Sequence, residues 1–137
     1  MLKLVSRYGN TTPYKFKGKI QMKASMMLYP VEAIETSLPF FVDGLGLTIK
    51  MRDGERYCAL EGGPLTIALV AGDERIVERP ALTFRIAEDD DLYAAMERVV
   101  ATGASVRVPV QQGPHELRAV LEDRNGALLV LTQKHAT

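Results

Sequence analysis

At 137 residues, with 47% hydrophobic and 25% charged side chains, the chain suffices for one packed domain or two small modules sharing a core. No apolar run approaches the roughly 20 residues that span a bilayer, the N-terminus lacks the apolar stretch of a secretory signal, and a solitary Cys58 excludes an intrachain disulfide; a cytoplasmic protein is expected. The 17 basic and 17 acidic residues balance overall but not along the chain.

Residues 1–22 read as a basic N-terminal extension. Lys3, Arg7, Lys15, Lys17 and Lys19, with Lys23 just beyond, meet no acid, so the other 114 residues hold 11 basic against 17 acidic side chains. The extension's tyrosines and Asn-Thr-Thr-Pro loop contain no base-reading motif; nucleic acid is not the expected partner, and a solvated or self-docking arm is.

Ala24 to Pro30 reads as a strand, and Val31 to about Asp43 as a helix with Ile34, Leu38 and Phe41 on one stripe. Pro39 lies inside that helix, where it removes an amide donor, so a kink or a shortened first turn is expected. Strands follow at about Leu47 to Arg52, Glu55 to Leu60 and Leu65 to Val70, separated by the Asp53-Gly54 hairpin signal and the Gly62-Gly63 turn. Cys58, in the second of these, is expected to pack as a small apolar residue and not to act as a nucleophile. The charged stretch from Ala71 to Arg79, ending at Pro80, suits a linker better than any buried element.

The order then repeats. From Ala81 a strand alternates Leu82, Phe84 and Ile86 with Ala81, Thr83 and Arg85. The Asp89 to Asp91 run opens a helix over about Asp90 to Ala101, since carboxylates favour the positive end of a helix dipole. Thr102-Gly103 ends it. Strands at about Ser105 to Val110, His115 to Glu122 and Leu128 to Thr132 complete the unit, joined by the Gln111-Gln112-Gly113-Pro114 and Asp123-Arg124-Asn125-Gly126 turns. A shift of 56 positions, from Leu28 and Pro30 to Phe84 and Ile86, relates the two units. Residues 23–137 thus hold two strand-helix-three-strand modules, over about 24–70 and 80–134.

Leu28-Tyr29-Pro30-Val31-Glu32, the Ser37 to Phe41 segment leading into Asp43-Gly44-Leu45-Gly46-Leu47, and the stretch from Ala119 to Leu131 resemble the glyoxalase, bleomycin-resistance and extradiol-dioxygenase (vicinal oxygen chelate) superfamily. The resemblance covers about residues 24–134. It implies an α+β fold in which paired βαβββ modules form a curled mixed sheet around a cleft, commonly in a homodimer. Two departures are Arg124, where the family usually has proline in an Asp-Pro-Xaa-Gly turn, and Pro39.

In metal-dependent members, four strand positions supply His, Glu or Gln ligands, and the resemblance carries these onto Ser25, Ala68, Ala81 and Val130. Such side chains do not form a metal-ligand set, because a divalent ion needs about three donors from imidazole, thiolate or carboxylate. No metal and no cofactor is therefore expected. Continuing strand alternation from those positions lines the cleft with Ser25, Met27 and Tyr29, then Thr66, Ala68 and Val70, then Ala81, Thr83 and Arg85, and finally Leu128, Val130 and Thr132.

That lining suits a moderately hydrophobic organic ligand, with Met27 and Tyr29 as contact surface and Arg85 as a partner for an acid group. The expected function is metal-free, non-catalytic sequestration of a small molecule in a cleft shared by a homodimer. Two alternatives stand beside it. One is an enzyme of the same superfamily, such as a lyase, isomerase or dioxygenase, with its metal ligands elsewhere or with Tyr29, Arg85 or His115 acting without metal. The other is a structural or protein-interaction domain whose contact surface is the basic arm. His115 and His135 are the only histidines.

Overall fold

The computed structural model describes residues 22–134. The basic extension up to residue 21 and His135 lie outside the described residues. Eight strands and two helices follow in the order β1 (Lys23–Pro30), α1 (Ile34–Pro39), β2 (Thr48–Asp53), β3 (Tyr57–Gly62), β4 (Leu65–Val70), β5 (Ala81–Arg85), α2 (Leu92–Ala101), β6 (Ser105–Gln112), β7 (Glu116–Glu122) and β8 (Leu128–Lys134). This is the expected strand-helix-three-strand order, twice.

All eight strands join one mixed sheet in the order β2-β3-β4-β1-β5-β8-β7-β6, not closed into a barrel. Each module is a 2-3-4-1 set in which the first strand pairs parallel to the last, β1 with β4 and β5 with β8. The modules meet where β1 pairs antiparallel with β5. Met51 of β2 and Glu116 of β7, far apart in strand order, line one cavity, so the sheet curls toward itself.

Both helices cover one face. Ile34, Leu38 and Phe41 pack on Cys58, Leu60 and Leu69, while Leu92, Ala95 and Met96 pack on Ala119, Leu121 and Leu131. Cys58 is fully buried there, and burial pushes its thiol above the usual range, so it packs as an apolar residue. The Asp91 carboxylate caps α2, accepting from the amides of Tyr93 at 2.9 Å and Ala94 at 3.4 Å. The regular helix starts at Ile34 and changes at the proline: α1 ends at Pro39, and Phe40–Gly44 continue as one wider π turn, closed by the Leu45 amide donating to the Phe40 carbonyl at 3.0 Å.

The opposite, concave face holds a third buried cluster that includes Leu28, Ala68, Val70, Val120, Leu128 and Val130. Val77 joins it and is 3% exposed. This corrects the expectation that residues 71–79 form a linker without buried elements. The segment makes a short 3-10 turn at Gly72–Glu74 and then lays Ile76 and Val77 against the inner face, where two apolar side chains outweigh the surrounding charge. Among the described residues, no helix is long and apolar enough to cross a membrane.

Candidate functional site

The inner face encloses a cavity of about 190 Å³. Its floor is apolar: Met26 and Leu28 on β1, Val70 on β4, Val130 on β8, with Ile76 from the inter-module segment. Polar groups gather around that floor. Thr83 and Arg85 arrive on β5, Thr132 on β8, Glu116 and Arg118 on β7, and Glu74 on the 3-10 turn.

Strand pairing explains why several of these meet. Arg85 pairs with Thr132 across β5–β8, and Thr132 pairs with Arg118 across β7–β8, so one lateral row presents guanidinium, hydroxyl, guanidinium. Arg118 Nη1 donates to Glu74 Oε1 at 3.0 Å, a contact between side chains that are only 11% and 15% exposed. Gly113, in the β6–β7 turn, abuts the Arg118 guanidinium so closely that a Cβ there would stand about 3.0 Å from its Nε and Cζ.

Three polar atoms at this site are buried and lack a hydrogen-bond partner among the described residues: Thr83 Oγ1, Thr132 Oγ1 and Arg118 Nε. An unpaired buried donor or acceptor costs about 1–3 kcal/mol, so their grouping on one face marks a place built for something other than packing. Burial pushes the Glu116 carboxyl above the usual carboxylate range, against the opposing pull of Arg118 and Arg85. Burial likewise raises the Tyr57 phenol, with the Glu116 and Glu74 carboxylates adding to the effect.

The expected lining is placed in parts. Thr83, Arg85 and Val130 line the cavity, as do Val70 and Thr132. Ala68, Ala81 and Leu128 lie in the buried cluster of the same face and do not line the cavity. Thr66 stands away from it, its hydroxyl accepting from Lys50 Nζ at 3.0 Å. Ser25 donates to the Thr83 carbonyl at 3.3 Å.

Met27 and Tyr29 are the correction. Tyr29 packs edge-to-face on Phe41 with ring centroids 5.0 Å apart, in the cluster beneath α1. Met27 shares a row with Ile67 of that same cluster. The inward residues of β1 are Met26 and Leu28 instead. A bulge is the cause: Ala24 pairs with Phe84 but Met26 with Thr83, so the strand carries one extra residue at Ser25 and its alternation flips. With even numbers facing inward on β1 and odd numbers on β5, the 56-position shift misaligns the two strands by one residue.

Arg118, Glu116, Glu74 and Tyr57 were not foreseen as site residues. Arg118 had a readable signal, a lone charge inside the apolar run Leu117-Arg118-Ala119-Val120-Leu121. Glu74 had none, because only tertiary folding brings the inter-module segment over the cleft.

A family model for the glyoxalase/bleomycin resistance protein/dioxygenase superfamily matches residues 23–131. The chain belongs to that superfamily. An uncharacterized protein of Mycolicibacterium smegmatis is 32% identical over 109 residues, which cover 79% of this chain and 90% of that one. The fold of this superfamily member is similar to that of a hypothetical protein from Bacillus halodurans, with TM-score 0.63 and 18% identity over 85% of this chain and 97% of the other. It is also similar to that of a glyoxalase/bleomycin resistance protein/dioxygenase superfamily member from Vibrio splendidus, with TM-score 0.57 and 16% identity over 85% of this chain and all of the other. Members of the superfamily typically bind small molecules and form dimers.

Metal-dependent members hold a divalent ion at the cleft, and the side chains at the matching positions of this chain do not fit one. Ser25, Ala68, Ala81 and Val130 offer a single hydroxyl, and their inward neighbours Met26, Val70, Thr83 and Thr132 add only two more. Among the described residues, no three His, Cys, Asp or Glu side chains are grouped so as to hold a metal.

Proposed function

We propose that this chain is a metal-free binding protein that sequesters a compact, moderately hydrophobic organic molecule on the concave face of its sheet. The observation that carries the reading is the set of three unpartnered buried polar atoms, Thr83 Oγ1, Thr132 Oγ1 and Arg118 Nε, around a cavity floored by Met26, Leu28 and Val130. A guest with an apolar body and a polar end satisfies both halves of that surface. At about 190 Å³ the cavity lies below the usual ~300–1,000 Å³ of ligand pockets, which favours a small guest.

The reading includes a homodimer and a cytoplasmic setting. Exposed apolar side chains on the two edge strands, Ile49 on β2 and Val106 on β6, are the surface a partner copy would cover.

A thermal-shift survey of small aromatic and aliphatic compounds, neutral, anionic and cationic, tests the function. A ligand at 100 times its Kd stabilises by about 2.7 kcal/mol, a rise of several degrees for a domain of this size. Replacing both hydroxyls, in Thr83→Val with Thr132→Val, is expected to abolish that rise while preserving the fold. A flat response from the unaltered chain across the library contradicts the reading, as does a stoichiometric divalent ion in elemental analysis of the purified protein.

A further inference from the structure

We infer that the guest of this cleft is an organic acid, whose carboxylate is received between Arg85 and Arg118 over the Thr132 hydroxyl. The inference rests on the binding reading above and specifies the chemistry of the guest. Its basis is the lateral row on three adjacent strands, Arg85 on β5, Thr132 on β8 and Arg118 on β7. Neighbouring strands lie about 4.8 Å apart, so the two arginine backbones stand roughly 10 Å apart with the threonine between them. Side chains as long as arginine close that span onto one oxyanion, and planar guanidinium forks match carboxylate oxygens two by two.

The charges at the site favour an anion. Arg118 has one side satisfied by Glu74 and, among the described residues, keeps Nε without a partner. Asp53 is engaged with Arg56 at 3.2 Å. Glu116, the remaining carboxyl on the wall, has its pKa raised by burial against the pull of Arg118 and Arg85. Arg85 makes no side-chain hydrogen bond or ion pair among the described residues and is exposed at the cavity mouth. Arg85 therefore presents an unpaired cation at the mouth. One row deeper, Thr83 pairs with Val130 and Val130 with Val120, so the surface turns apolar where the body of the acid would lie.

The test uses the full chain and a panel of aromatic and branched aliphatic monocarboxylates, each paired with its carboxamide and with the matching primary amine. Affinities are read by calorimetry and thermal shift. Acids are expected to bind about tenfold or more tightly than their amides, the worth of a charge-assisted contact. In Arg85→Gln, an exposed site whose replacement leaves the packing intact, the acid-to-amide ratio falls toward one. Amides or amines binding as tightly as the acids, or a ratio unchanged in Arg85→Gln, overturns the carboxylate assignment and leaves cleft binding standing. No binding by any of the three classes overturns both.

Discussion

Burial raises the pKa of the Glu116 carboxyl more than Arg118 and Arg85 lower it. A carboxyl raised on folding contributes stability below the ordinary carboxylate range, and that contribution is lost as pH rises through its folded value. Glu116→Gln removes the penalty of ionisation. The variant is expected to melt higher than the unaltered chain at pH 7.5, with the difference closing as pH falls below about 4. Melting curves at stepped pH check this, and a Tm lowered at pH 7.5 would show that Glu116 is held in its charged form. At this scale position was partly legible. The inward placement of Thr83, Arg85 and Val130 could be read from alternation, and the burial of Cys58 from the apolar strand around it. Arg118 escaped, although an arginine inside an apolar strand run must find a partner or a purpose.

At the scale of elements, turn chemistry and helix caps were readable because each depends on a few adjacent residues. Asp91 caps α2 through its own carboxylate, and Asp123 closes the last turn by accepting from the amides of Asn125 at 2.8 Å and Ala127 at 2.9 Å. Arg124, in the family's usual proline position, therefore leaves that turn intact. The β1 bulge was not readable, since an extra residue in a strand shows only against the partner it mismatches. Two turn glycines make opposite demands. A Cβ on Gly62 would collide with the Leu65 carbonyl and crowd Ile67, whereas Gly54 has open space but a φ of +59°. Gly62→Ala is expected to cost about 3 kcal/mol by overpacking against backbone, and Gly54→Ala about 1 kcal/mol from the left-handed conformation alone. Urea unfolding of the two variants measures the contrast; equal losses would mean that the β3–β4 turn opens freely to admit the methyl.

For the whole molecule, the duplicated module and its order along the chain were legible, because periodicity and turn residues repeat in both halves. What pattern could not supply was the closure of the cleft. β1 and β5 join the modules edge to edge, and the segment between them folds back so that Glu74 meets Arg118 and Val77 enters the inner core. The connector thus forms part of the site it connects. Function in this account depends on which face of β1 looks inward, and two adjacent methionines report on it directly. Met26 lines the cavity, while Met27 lies in the row of Ile67 beneath α1. The decisive measurement is a methionine-methyl NMR titration with the monocarboxylate that most stabilises the chain. The Met26 methyl is expected to shift saturably while that of Met27 stays in place. A shift of Met27 with Met26 unmoved, or neither moving while the compound still protects the fold, would place the guest outside the concave face and contradict the account.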